Sequence, residues 1–332
     1  MAAPLPAGAA LEVRDLCTPA DPALAELSGL AADGRRWFAV SDGGTSLRVL
    51  VLDPADCSVL DRITADVDPY DVEDLALAGD GALWLADTGD NGRDRDTVAL
   101  HRLTRQGDTS LYRLTYPEGP HDVEALLLDH ADVPYLVTKE LGAARVYRPT
   151  GELTEAAPTA LEQVATLRIE LTDTPGGPVG NTGSMLITGG AVSADRRLVA
   201  LRTYTDAYLF PAPGGDVVAA LAATPTRLPL PAEPQGEALA LTPDGTLLSG
   251  SESAGEGAVP IRGMVDAAAL VDPAVSAPGR SADASPGLTD ASPGAVAETD
   301  GGGLAPWQTA AVAGGVVGLL ALLAARRRNR TR

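Results

Sequence analysis

The sequence predicts an all-β repeat fold closed into a ring, and three observations carry that prediction. A two-strand pattern recurs five times in the first 260 or so residues. Most copies are followed by two further strand-like runs. The segment before the first copy supplies a strand that the last copy lacks. Each copy is an apolar run, a tight turn built on Asp-Gly or a relative, and a second apolar run ending in polar residues. Asp-Gly between such runs is a strong hairpin signal. Four antiparallel strands repeated about every 45–50 residues are the pattern of β-propeller blades.

The copies read ELSGLAADGRRWFAVSDGG from Glu26, DVEDLALAGDGALWLADTGDN from Asp71, DVEALLLDHADVPYLVTKE from Asp122, TGGAVSADRRLVALRTYTD from Thr188 and QGEALALTPDGTLLSGSES from Gln235. Leu47–Leu52 and Leu60–Ala65 complete the first unit, and Val98–Leu103 and Ser110–Tyr116 the second. Arg145–Arg148 and Gln163–Leu171 complete the third, and Ala207–Phe210 and Arg227–Leu230 the fourth. The fifth has a third strand at Val259–Met264 and no fourth. Leu11–Cys17 is expected to pair there and close the ring, which removes an exposed sheet edge. The count is five four-stranded blades, with six the alternative. Apolar spacing away from 3.6, with Gly and Pro in every segment, excludes a helical repeat.

Composition narrows function only coarsely. The chain has 332 residues and a formal net charge of −20. A surface of that sign repels phosphate backbones, so no nucleic-acid partner is expected. Lys139 is the only lysine among the basic residues. Cys17 and Cys57 are the only cysteines, too few for a thiolate-rich metal site. They form one disulfide if the domain lies outside the cell, and otherwise stay as two thiols.

The domain reading places the propeller at 1–264 and a disordered stalk rich in Pro, Ser, Ala and Gly at 265–303. A transmembrane helix follows at 304–325 and a cytoplasmic Arg-rich tail at 326–332. Leu304 to Ala325 carries no charge, and Arg326, Arg327, Arg328, Arg330 and Arg332 follow it. About 20 apolar residues cross a bilayer core, Trp307 suits the outer interface, and the arginines mark the cytoplasmic side. The expected location is therefore a cell membrane, single-pass, with the propeller outside. Met1–Leu16 shows no export signal, so the expectation is that the start lies upstream or that a leader was removed. No LPxTG-like pentapeptide precedes the apolar tail, which favours a retained helix over covalent wall attachment.

The strings DVEDLA…LWLADTGDN and DVEALLLD…YLVTKE resemble bacterial secreted propeller proteins of unassigned function. More loosely, the chain is similar to the phytase-like esterase and quorum-regulated propeller families. The resemblance covers roughly 11–264 and implies a propeller, often six-bladed in those families. It transfers no catalytic residue set, and the fold does not fix a function.

With the repeats in register, Glu73, Glu124 and Glu237 are equivalent, and Ser28 and Gly190 fill the other copies. Two residues earlier stand Glu26, Asp71, Asp122, Thr188 and Gln235. Asp42, Asp87, Lys139, Tyr204 and Glu252 end the second strands. Alternate strand residues share a face, so Asp71 with Glu73 and Asp122 with Glu124 are expected to converge on one channel mouth. Converging carboxylates need compensation. It comes from Ca²⁺, which takes 6–8 oxygen ligands, from Lys139 and Arg202, or from backbone amides. The metal set read from the pattern is Glu73, Asp87, Glu124 and Glu237. The alternative is that the repeated glutamates tie neighbouring blades together by hydrogen bonds.

The run Asp87 to Asp96 fails the EF-hand template, because Gly89 and Val98 stand where ligands are required. Asp87, Asp90 and Asn91 then shape a surface turn or hold a cation. There is no GxSxG elbow, and His121 beside Asp122 is the one histidine placed to act as a general base at the mouth.

The functional reading is a membrane-anchored binding module offering an acidic mouth to an extracellular ligand or protein. The alternative is a metal-dependent esterase or phosphoesterase using Glu73, Asp87, Glu124, Glu237 and Glu252. A third reading is a structural element of a membrane complex.

Overall fold

The computed structural model describes residues 12–255 and 257–271. They form an all-β, propeller-like ring of four-stranded antiparallel sheets. The first sheet holds β2 (Leu27–Ala32), β3 (Trp37–Ser41), β4 (Leu47–Leu52) and β5 (Val59–Ala65). The second holds β6 (Val72–Leu77), β7 (Leu83–Asp87), β8 (Val98–Leu103) and β9 (Thr109–Thr115). The third holds β10 (Val123–Leu128), β11 (Pro134–Thr138), β12 (Ala144–Pro149) and β13 (Thr159–Leu167). The fourth holds β14 (Ile187–Val192), β15 (Leu198–Thr203), β16 (Asp206–Pro211) and β17 (Thr226–Pro229). In the fifth, β18 (Gln235–Leu241), β19 (Leu247–Glu252) and β20 (Ile261–Met264) are joined by β1 (Val13–Cys17).

Each sheet runs outward from an inner strand, and the inner strands β2, β6, β10, β14 and β18 pack on one another in that order, β18 meeting β2 again. The ring closes through β1, which lies antiparallel on β20 with Val13 opposite Met264. A short parallel pairing of β13 with β9, at Thr159–Leu114 and Ala160–Thr115, links the outer edges of the second and third sheets.

The same device makes every inner hairpin. An aspartate opens the turn, and its carboxylate accepts a backbone N–H two or three residues on: Asp33 from Arg35 and Arg36, Asp80 from Ala82, Asp129 from Ala131, Asp195 from Arg197, Asp244 from Thr246. Such side-chain bonds favour turns over continued strand. We call this the hairpin end of the ring and the opposite end, where the inner strands begin, the entry end.

Apolar side chains fill the five gaps between sheets. Phe38, Val49 and Ile63 meet Leu75, Leu83 and Leu85 between the first two sheets. Leu30, Trp37 and Cys57 meet Ala238, Leu248 and Ile261 between the first and fifth. Cys17 and Cys57 form a disulfide, which resolves the alternatives left by the sequence.

The stalk was expected to begin at Val265. Instead 265–271 packs on the fifth sheet: Val265 N–H donates to the Glu12 carbonyl and Ala268 N–H to the Gly245 carbonyl. Ala267 and Ala268 are buried in the core between the fourth and fifth sheets, so packing continues past Met264. Both ends of the described chain thus leave at the hairpin end. The expected transmembrane segment 304–325 lies outside the described residues. Among those described, no helix is long and apolar enough to cross a membrane.

Candidate functional site: a buried glutamate centre at the entry end

Near the entry end, the pairing of every inner strand with its neighbour shifts register at one residue. The residues at these bulges are Ser28, Glu73, Glu124, Thr188 and Glu237. A bulge re-aims side chains locally, and here it places the repeat's glutamate. The fourth copy was read two residues out of step: Thr188, not Gly190, is the equivalent of Glu73. Its Gly-Gly sequence has no acidic marker to fix the register.

The bulges are stitched from sheet to sheet. Ser28 Oγ donates to the Val72 carbonyl at 2.9 Å, Thr88 Oγ1 to the Val123 carbonyl at 2.9 Å, and Thr188 Oγ1 to the Gly236 carbonyl at 2.9 Å. Each of these carbonyls immediately precedes a glutamate, so each glutamate is held by the sheet before it.

Glu73, Glu124 and Glu237 come together, each offering an oxygen within 4.8 Å of the others. They are 1%, 1% and 0% exposed. Lys139 Nζ lies 2.7 Å from Glu124 Oε1 and 5.2 Å from the centre of the Tyr204 ring. Gln235 Nε2 donates to Glu237 Oε1 at 3.1 Å. Glu124 Oε2 is buried and accepts no hydrogen bond among the described residues. A Cβ at Gly89 would overlap the Glu73 and Asp71 carboxylates, which would have to move to admit one.

Burial raises Glu124 well above the usual carboxylate range, with Asp122 and Glu237 adding to the rise and Lys139 opposing it. Burial alone would depress Lys139, but Glu124, Tyr204, Glu237 and Asp122 outweigh it and hold the ammonium charged. Burial likewise raises Tyr204.

Asp42, Lys139, Tyr204 and Glu252 each follow the residue that pairs opposite the one just before the bulge, at Ser41, Thr138, Thr203 and Ser251. In the second sheet that place belongs to Thr88, since Asp87 itself pairs with Val72. Asp87 is therefore one residue out of step and stands apart from the three glutamates. Its carboxylate accepts from the Tyr70 and Asp71 N–H groups, from Arg95 Nη2 at 3.0 Å, and faces His101 Nε2 at 3.2 Å.

Burial pushes the Asp87 carboxyl up, but His101, Arg95 and the two amides overcome it and bring it down to about 2. A carboxylate lowered on folding adds stability above its unfolded value and loses it as pH falls toward the folded one. Asp87→Asn is thus expected to cost about 2 kcal/mol at neutral pH. The cost should fade between about pH 4 and pH 2, as read by urea unfolding across that range.

The run after Asp87 is a turn. Asp90 accepts from Asp94 N–H and Arg95 N–H, and its own N–H donates to Asp122 Oδ1 at 2.8 Å. Arg202 is not a compensator of the mouth. Its guanidinium is fully buried between the fourth and fifth sheets, on Glu233 Oε2 at 2.9 Å, Ser249 Oγ and the carbonyls of Ala238 and Gly250. Gly236 lies against it with no room for a Cβ. His121 has both ring nitrogens engaged, Nδ1 with Glu140 at 2.7 Å and Nε2 with the Tyr147 hydroxyl at 3.1 Å.

Asp74 was missed by the sequence reading. It is wholly buried and accepts from Leu75 N–H, Leu126 N–H at 2.7 Å and Gly190 N–H at 3.2 Å, tying the second, third and fourth inner strands. Burial raises it well above its usual range, against those three bonds. An open cleft of about 730 Å³ lies between the third and fourth sheets beside Arg168, Tyr208 and Arg227, and contains none of the three glutamates.

Fold and site together define a propeller-like ring with a buried carboxylate centre. No family model and no curated protein matches the chain. Among solved structures it is similar to virginiamycin B lyase from Staphylococcus aureus, at 12% identity over 73% of this chain and 68% of that one, TM-score 0.38. It is also similar to the PQQ-bound aldose sugar dehydrogenase from Streptomyces coelicolor, at 13% identity over 78% and 98%, TM-score 0.41. A third is the gluconolactonase XC5397 from Xanthomonas campestris, at 17% identity over 76% and 77%, TM-score 0.39. Each name describes that protein's activity, and the chemistry of the present chain has to be read from its own residues.

Proposed function

We propose that this chain is an extracellular binding module, held at a membrane by its C-terminal apolar segment, whose entry end is completed by one divalent cation, Ca²⁺ first among candidates. The observation that carries the reading is the convergence of Glu73, Glu124 and Glu237, almost wholly buried, with Glu124 Oε2 left without a hydrogen bond. Three carboxylates in a dry site repel unless protons or cations answer them. Oxygen ligands of this kind suit a hard ion. Sites closed to this degree admit a bare ion more readily than a bulky cationic group. The disulfide supports an oxidising compartment, and the charge of −20 speaks against nucleic acid as a partner.

The ion, with Asp42, Asp71, Asp122 and Glu252 of the same entry end, would set the charge of the end that meets an extracellular ligand or protein. A second reading, metal-dependent ester or phosphoester hydrolysis, draws on the same glutamates, because a bound ion also polarises a carbonyl or phosphoryl oxygen.

The test is thermal unfolding of the full chain in detergent with Ca²⁺ or with a chelator. At a hundred times Kd an ion that binds only the folded state adds about 2.7 kcal/mol, a rise of roughly 5–10 °C for a domain of this size. Glu73→Gln and Glu237→Gln should each remove most of that rise. No shift with Ca²⁺, Mg²⁺, Mn²⁺ or Zn²⁺ would reject the cation centre. Ester or phosphoester turnover that needs the ion would favour the hydrolase.

A further inference from the structure

The glutamate centre contains a cation of its own. Lys139, the only lysine in the sequence, directly follows β11 at the position held in other sheets by Asp42, Thr88, Tyr204 and Glu252. Its side chain is 3% exposed and its Nζ is 2.7 Å from Glu124 Oε1. Among the described residues the arginines nearest in role are committed elsewhere: Arg202 to Glu233, Arg95 to Asp87 and Arg145 to Glu140. With Glu124 counted as ionised beside its ammonium partner, the three glutamates carry a formal −3, and Lys139 brings this inner set to −2.

We propose that Lys139 sets the charge selectivity of this centre, by neutralising one carboxylate so that the residual −2 matches a divalent ion. The inference rests on the cation-binding reading above. A lysine is a compact point charge that a metal cannot displace from the chain, and its field falls more heavily on a trivalent ion than on a divalent one. At an effective dielectric constant near 20 and a separation of about 4–6 Å, removing that charge should shift the preference for a trivalent over a divalent ion by about a hundredfold to a thousandfold. The variant would then favour the ion of higher charge.

The experiment measures Ca²⁺ and Tb³⁺ binding by the full chain in detergent, with calorimetry for both ions and tyrosine-sensitised Tb³⁺ luminescence as a second readout. Tyr204, whose ring faces Lys139, is the natural sensitiser. Lys139→Met is expected to raise the Tb³⁺-to-Ca²⁺ affinity ratio by that factor. Lys139→Gln makes the same charge change while keeping a donor for Glu124, and serves if the methionine variant unfolds. Lys139→Met combined with Glu124→Gln returns the inner set to −2, and its ratio should fall back from that of Lys139→Met toward or below wild type. Wild type that binds Ca²⁺, with a ratio unmoved in both single variants, would overturn the role of Lys139 and leave the cation centre standing. Wild type that binds neither ion would overturn both.

Discussion

Glu233→Ala is expected to be the most damaging single substitution in the described residues, at about 3–5 kcal/mol and a fall in Tm of about 10 °C. Glu233 and Arg202 are each 0% exposed and pair at 2.9 Å between the fourth and fifth sheets. Ser249 donates to the same carboxylate, and Arg262 approaches it at 3.4 Å. Alanine would strand the Arg202 guanidinium in a dry interface, and an uncompensated buried charge is what makes such losses large. Arg202→Met alone should also destabilise. The double variant Glu233→Ala with Arg202→Met should cost clearly less than the sum of the two, because it removes both charges. Chemical unfolding of the four proteins completes the cycle. Additivity within about 0.5 kcal/mol would mean the pair does not act as a unit.

Loss of the Cys17–Cys57 disulfide should come close behind. The bond spans 40 residues, and loop-closure entropy for a loop of that length gives about 4 kcal/mol. It does more than shorten a loop. Cys17 ends β1, the strand that closes the ring, and Cys57 lies between β4 and β5 of the first sheet. The bond therefore fastens the closing strand to the neighbouring sheet. Cys17→Ser with Cys57→Ser should lower Tm by roughly 10 °C, and reductant should do the same to the wild type. Hydrogen exchange in β1 and β20 should rise before exchange elsewhere. Equal stability with and without reductant would rule this out.

Five hairpins were legible in the sequence because each carries an aspartate-led turn between apolar runs, and the outer strands fall within a few residues of their expected places. Closure by Val13–Cys17 was legible from bookkeeping of strands alone. The glutamates were legible because Glu73, Glu124 and Glu237 recur at one place in the repeat. Three things were not. Asp87 and Thr88 exchange roles through a one-residue difference, and period-two alternation reverses on such a slip. The bulge at Glu73 lets both Glu73 and Asp74 reach the interior of the ring, which strict alternation forbids. Glu233 lies before the fifth copy begins, so no repeat position marks it, and only the packing of the fourth sheet on the fifth brings Arg202 to it.

The two ends of the described chain leave side by side at the hairpin end, Glu12 bonded to Val265 and Ala268 to Gly245. The glutamates are at the other end of the ring. An attachment made directly at residue 12 or residue 271 would therefore grip the back of the ring, on the side away from the carboxylate centre. The closeness of the ends also makes the ring suited to circular permutation. A short linker from 271 to 12, with new ends opened in an exposed turn, should keep every sheet intact.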